Sequence, residues 1–89
     1  MKLHQLQALV AVAEHGSIRA AARAIHLTQA ALTKALKQLE DDHGVALFVR
    51  KASGVQMTEA GQRLLARARL VMRQIALAEE ELQHAKGDE

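Results

Sequence analysis

From Thr58 to about Ala85 the chain keeps one helical pattern without a break, and an 89-residue chain cannot wrap a helix of that length. At about 1.5 Å per residue it is roughly 40 Å long. Gly61, Ala68, Ile75 and Leu82 recur every seven residues, as do Leu64, Val71 and Ala78. The two series interlock at steps of four and three, the spacing of a helix that pairs with another helix. The residues before it are too few to cover the stripe, so these positions are expected at a dimer interface. Thr58 is expected to cap the helix, with Glu59 in the first turn, where the helix dipole favours an acid. Only Lys86 to Glu89 reads as a frayed end or the start of a linker.

The segment ahead of this helix has one aromatic residue, Phe48, so its core must be made from aliphatic side chains and many alanines. That composition favours closely packed helices over a sandwich. Leu3, Leu6, Val10 and Ala13, with Leu9 beside them, give a first helix over 3–15 that Gly16 ends. Ser17 stands as the cap of a short second helix with Ile18, Ala21, Ala22 and Ile25 on one face. After His26 and Leu27, Thr28 caps a third helix whose buried stripe is Leu32, Ala35, Leu36 and Leu39 and whose end is Gly44. Two helices joined by so short a turn outline a helix-turn-helix over about 18–37.

The period then changes. Residues 47–50 and 55–57 are short β-prone runs on either side of a basic, glycine-containing tip, Lys51 to Gly54. A three-helix unit followed by such a hairpin over about 47–57 is a winged helix-turn-helix. The expected fold is therefore mainly α: a winged helix-turn-helix over 1–58 followed by a linker and dimerisation helix over 59–85.

Charge is distributed unevenly. Residues 1–57 carry seven Lys and Arg against four Asp and Glu, a balance of +3, whereas residues 58–89 carry five against six, a balance of −1. The front part is the better surface for phosphates. With no cysteine there is no disulfide, thiol nucleophile or thiolate metal site. The five histidines form no i, i+4 pair, the two serines sit in no nucleophile motif, and no glycine-rich phosphate loop is present. Neither an enzyme, a metal site nor a cofactor is expected. No run of signal-peptide or membrane-spanning length opens the chain, so a cytoplasmic location is expected.

The outward face of the third helix offers Gln29, Ala30, Thr33, Lys34, Lys37 and Gln38. The N-terminal end of a recognition helix is the part that reaches base edges in the major groove. Gln pairs bidentately with adenine, Ala can touch a thymine methyl, and Thr serves either chemistry. Lys34 and Lys37 suit phosphates or guanine, and the Thr28 cap turns backbone N–H groups outward. Arg50 and Lys51 could lie against the backbone or minor groove beside it, and Ser17 and Arg19 could touch phosphates. An ordinary solvated helix and a charged hairpin would show the same residue types. Glu40, Asp41 and Asp42 read as a solvated surface or as a run that repels DNA from the wrong end of the helix.

Taken in order, the chain closely resembles the N-terminal DNA-binding domain of LysR-type transcriptional regulators. The residues that carry the resemblance begin with Leu6 to Ser17, Ala20 to Ala22, and Leu27, Thr28 and Gln29. They continue through Leu32 and Thr33, Leu36, Gln38 to Glu40, Gly44, Val45, Leu47, Phe48, Arg50 and Met57 to Gly61. The resemblance implies a linker helix that pairs with another protomer's, usually antiparallel, and binding to an interrupted inverted repeat. It assigns base and backbone contacts to Gln29, Thr33 and Lys34 and a wing cation to Arg50. Ala30 stands where the family usually has proline, and Thr33 and Lys34 where Ser and Arg are commoner. The resemblance also implies an effector domain, sensing a small molecule, beyond the linker helix. The partners expected are double-stranded DNA and a second copy of the chain, with a tetramer open for a longer protein. A helical module that binds protein would explain the heptad seam, but not a basic hairpin beside a Gln, Thr and Lys helix face.

Overall fold

The computed structural model describes residues 1–87 and runs α1 (Leu3–His15), α2 (Ile18–Ala24), α3 (Gln29–His43), β1 (Phe48–Lys51), β2 (Gly54–Met57) and α4 (Glu59–Gly87). Each expected cap is made. The Ser17 hydroxyl accepts from the Ala20 N–H at 3.1 Å, Thr28 from Ala31 at 3.0 Å and Thr58 from Gly61 at 3.0 Å. Gly16 and Gly44 close α1 and α3 in the left-handed conformation, with φ of 73° and 63°. The start of α1 has a cap that the pattern did not announce: the Lys2 backbone N–H donates to the Gln5 side-chain oxygen at 2.8 Å, and Gln5 is itself buried.

The core lies between α1, α2 and α3. Leu9, Ala21, Leu32, Leu36 and Leu39 are fully enclosed, and the stripe expected on α3 is the buried one. That on α2 is buried at Ile18, Ala21 and Ala22, while Ile25 lies just past the end of the helix and is half-buried. On α1 the buried face is turned from the expected one: Ala8, Ala11 and Val12 join Leu6 and Leu9, while Leu3 is exposed and Val10 and Ala13 are half-buried. The physical reason is position. Helix α1 packs against α2, α3, α4 and β2 at once and is covered over a broad face rather than a narrow stripe.

The wing is an antiparallel pair in the register Phe48↔Met57, Val49↔Gln56, Arg50↔Val55 and Lys51↔Gly54. The ladder runs one pair further than expected, leaving Ala52 and Ser53 as the turn. Gly54 makes this possible, because its φ of 132° is one that L side chains rarely adopt.

Helix α4 sets the longest dimension of the molecule, 52 Å. It continues to Gly87, two residues past the expected end at Ala85, and Asp88 and Glu89 of the expected frayed end lie outside the described residues. Two of the seam residues are unavailable to a partner. Gly61 is buried against the Leu47 carbonyl and Ala68 is fully enclosed, so together with Leu65 they dock α4 on its own head. Half-buried Leu64 packs against the same core. Heptad spacing marks an apolar stripe, but it does not say whether the head or a second chain covers each turn of it.

Candidate nucleic-acid interface

The α1–α2 turn, the start of α3 and the wing meet in one shallow recess of about 170 Å³ lined by Ser17, Ile18, Arg19, Gln29, Arg50, Lys51, Ala52, Gly54 and Val55. Five residues singled out in the sequence are thus brought together from three separate segments. The closure is a backbone one. The Val55 N–H donates to the Gly16 carbonyl at 3.0 Å, which fastens β2 to the residue that ends α1. The approach is close enough that a β-carbon on Gly54 would fall 2.5 Å from the Gly16 oxygen.

Arg19, Gln29, Arg50 and Lys51 are exposed, and none of the three cations forms an ion pair among the described residues. With no carboxylate lining it, the recess presents a local excess of positive charge to solvent.

The remaining residues singled out on α3 do not line the recess. Ala30, Lys34 and Lys37 are exposed on the adjoining face, Thr33 is half-buried, and Thr28 is exposed at the cap. Lys37 is not wholly free, since its ammonium sits 3.4 Å from Asp41 one turn on. Both side chains are well exposed, and pairs of that kind are worth only about 0.2–1 kcal/mol. A phosphate could compete for the lysine.

The acidic run at the end of α3 is divided in its roles. Asp41 pairs with Lys37, and Asp42 accepts from the Gln38 side chain at 2.8 Å. Glu40 turns the other way and accepts the Leu47 backbone N–H at 2.8 Å, holding the strand entrance to the end of α3. Sequence reasoning missed this tie because nothing in three consecutive acids distinguishes the one that faces inward. Thr58 has a second role of the same kind. Besides capping α4, its hydroxyl donates to the Ala46 carbonyl at 2.7 Å, and its N–H donates to the Leu47 carbonyl at 3.0 Å. The segment 45–47 is therefore clamped between α3 and α4, and the wing leaves from a fixed base.

Among the described residues no group of three or more His, Asp or Glu could hold a metal ion, and no helix is long and apolar enough to cross a membrane.

Residues 3–62 match the family described as bacterial regulatory helix-turn-helix protein, lysR family. Over its full length the chain is 44% identical to the HTH-type transcriptional regulator CfxR of Cupriavidus necator, and it spans 28% of that protein. Among solved structures it is similar to the CbnR DBD in complex with DNA, with a TM-score of 0.84 and 34% identity, covering 96% of this chain and 98% of that one. It is also similar to the BenM DBD in complex with benA site 1 DNA, with a TM-score of 0.85 and 25% identity, covering 96% and 99%.

Proposed function

The chain belongs to the lysR family of bacterial helix-turn-helix regulatory proteins, and from that premise we propose that it is the DNA-reading segment of such a regulator. The observation that carries the reading is the recess that gathers Ser17, Arg19, Gln29, Arg50 and Lys51. Helix α3 enters the major groove with its N-terminus foremost. Gln29 and Ala30 read base edges, Thr33 and Lys34 continue the contact along the groove, and Lys37 reaches a phosphate. Arg50 and Lys51 on the wing lie along the backbone or the neighbouring minor groove. Ser17, Arg19 and the N–H groups at the Thr28 cap hold the facing phosphates. Phosphate contacts fix orientation and base contacts fix sequence, and only a surface offering both supports selective binding.

The exposed apolar residues of α4 join two protomers, so that two recognition helices address an interrupted inverted repeat. Residues 1–58 are the reader and 59–85 the linker. An effector-sensing domain follows the linker in the longer protein, which acts in the cytoplasm where its DNA is.

The test is selection of a random duplex pool by the purified chain at two salt concentrations, followed by sequencing. Enrichment of an inverted repeat, with affinity falling as salt rises by about 0.9 log units per phosphate contact for each log unit of salt, is the expected result. Absence of enrichment at both salts overturns the reading.

A further inference from the structure

Helix α4 carries two exposed apolar stripes with a row of polar residues between them. Leu70 and Leu77 lie on one side, 57% and 37% exposed, and Val71, Ala78 and Leu82 lie on the other, with Leu82 74% exposed. Between them run Arg67, Gln74 and Glu81, seven residues apart and all exposed. At about 100° per residue this row lies roughly opposite Leu65 and Ala68, the side chains that dock α4 on its own head. Arg67 and Glu81 form no ion pair among the described residues. The sign of charge also changes along the helix: Arg63, Arg67, Arg69 and Arg73 precede a run of Glu79, Glu80 and Glu81.

We propose that Arg67, Gln74 and Glu81 form a self-complementary polar ladder that fixes both the direction and the register of the pairing between two copies of α4. The inference rests on the dimer reading given above and names the face and residues that would specify it. When a second copy runs antiparallel with the two-fold axis at Gln74, Arg67 of each chain meets Glu81 of the other. The two Gln74 amides then meet on the axis, where each supplies a donor and an acceptor to its twin. The same register sets Leu70 beside Leu77 of the other copy on one side and Val71 beside Ala78 on the other, closing both apolar stripes over the ladder. A parallel, in-register pair would bring Arg67 onto Arg67 and Glu81 onto Glu81, and like charges set opposite each other work against association. A slip of one heptad in the antiparallel pair would separate both charged partners. Polar residues within an apolar helix seam commonly act in this way, giving up stability to select one register.

The absence of cysteine allows a direct test. Gln74→Cys is expected to give a disulfide-linked dimer on mild oxidation. Arg67→Cys and Glu81→Cys should not crosslink when alone, because the two copies of either residue lie about 21 Å apart along the axis. An equimolar mixture of those two variants should crosslink. In sedimentation, Arg67→Glu and Glu81→Arg are each expected to raise the dimer dissociation constant at least about tenfold. The two variants mixed, or the two changes combined in one chain, should restore association. Helix content by circular dichroism should be unchanged, since both positions are exposed. A dimer indifferent to both reversals, or one that crosslinks through Arg67→Cys alone, overturns the ladder and leaves the dimer standing. A chain that sediments as a monomer with its native residues overturns both.

Discussion

The backbone of Gly61 lies against the carbonyl of Leu47 so closely that a β-carbon there would overlap the Leu47 oxygen. This contact seats the first turn of α4 on the base of the wing, beside the two hydrogen bonds from Thr58 to Ala46 and Leu47. Gly61→Ala should therefore destabilise the chain even though alanine is the better helix former. Overpacking of this kind costs about 1–3 kcal/mol, and for a domain this size each kcal/mol lowers Tm by about 4–8 °C. A thermal melt checks it, and an unchanged Tm would show that the wing base shifts freely.

Glu40 separates two accounts of an acidic run near a DNA-facing helix. Because its carboxylate holds the Leu47 N–H, Glu40→Ala should cost about 1–3 kcal/mol of stability. Glu40→Gln, which keeps an acceptor, should cost less. If the residue served mainly to repel DNA, the alanine variant would bind tighter and melt unchanged.

Gln29 and Lys34 stand in different relations to the recess and should fail differently. Gln29→Ala should lose about 1–3 kcal/mol on the preferred operator and relax discrimination at one base position. Lys34→Ala should weaken binding more evenly and reduce the salt slope by about 1. Titrations on the selected operator and on single-base variants distinguish them, and an equal loss on every duplex for Gln29→Ala removes its base-reading role.

The wing cations have no ion-pair partners to give up among the described residues, so their loss should appear in binding rather than in folding. Replacing Arg50 and Lys51 together by alanine should reduce the salt slope by about 0.9 for each phosphate contact removed, with Tm nearly unchanged. A slope that stays the same would place the wing away from the DNA.

His26, in the turn between α2 and α3, has a φ of 58°, a left-handed conformation that costs a non-glycine residue about 1–2 kcal/mol. Glycine relieves that strain but gains freedom in the unfolded chain, worth about 0.5–1 kcal/mol the other way. His26→Gly is expected to be neutral or to stabilise by up to about 1 kcal/mol. His26→Val should destabilise, because a β-branched side chain is least tolerated there. Chemical denaturation of the three chains checks the order.

Local chemistry was readable from the residues alone. Ser17, Thr28 and Thr58 announced three helix starts, since a hydroxyl before an apolar run has a nearby N–H to accept from. Gly16 and Gly44 announced two ends, since few other residues adopt the left-handed cap. The stripe of α3 and most of that of α2 followed from spacing, because a helix that packs on one side shows that side in its period. Four features escaped it: the cap that buried Gln5 makes at the start of α1, the face of α1 that is covered, the left-handed turn at His26 and the inward-facing Glu40.

The sequence by itself determined the elements, the caps at Ser17, Thr28 and Thr58 and the chemical character of the surface, because those depend on neighbours within about one turn of the chain. Only the tertiary structure decided which of them meet. The Val55 to Gly16 bond gathers Ser17, Arg19, Gln29, Arg50 and Lys51 into one recess. The Glu40 to Leu47 bond and the seat of Gly61 on Leu47 fix the wing between α3 and α4. The burial of Gly61 and Ala68 by the head assigns part of the heptad seam to the chain itself. A heptad stripe carries no mark of what covers it. Burial is a property of the whole packing, and the same apolar side chain serves a protomer's own core or a partner's helix equally well.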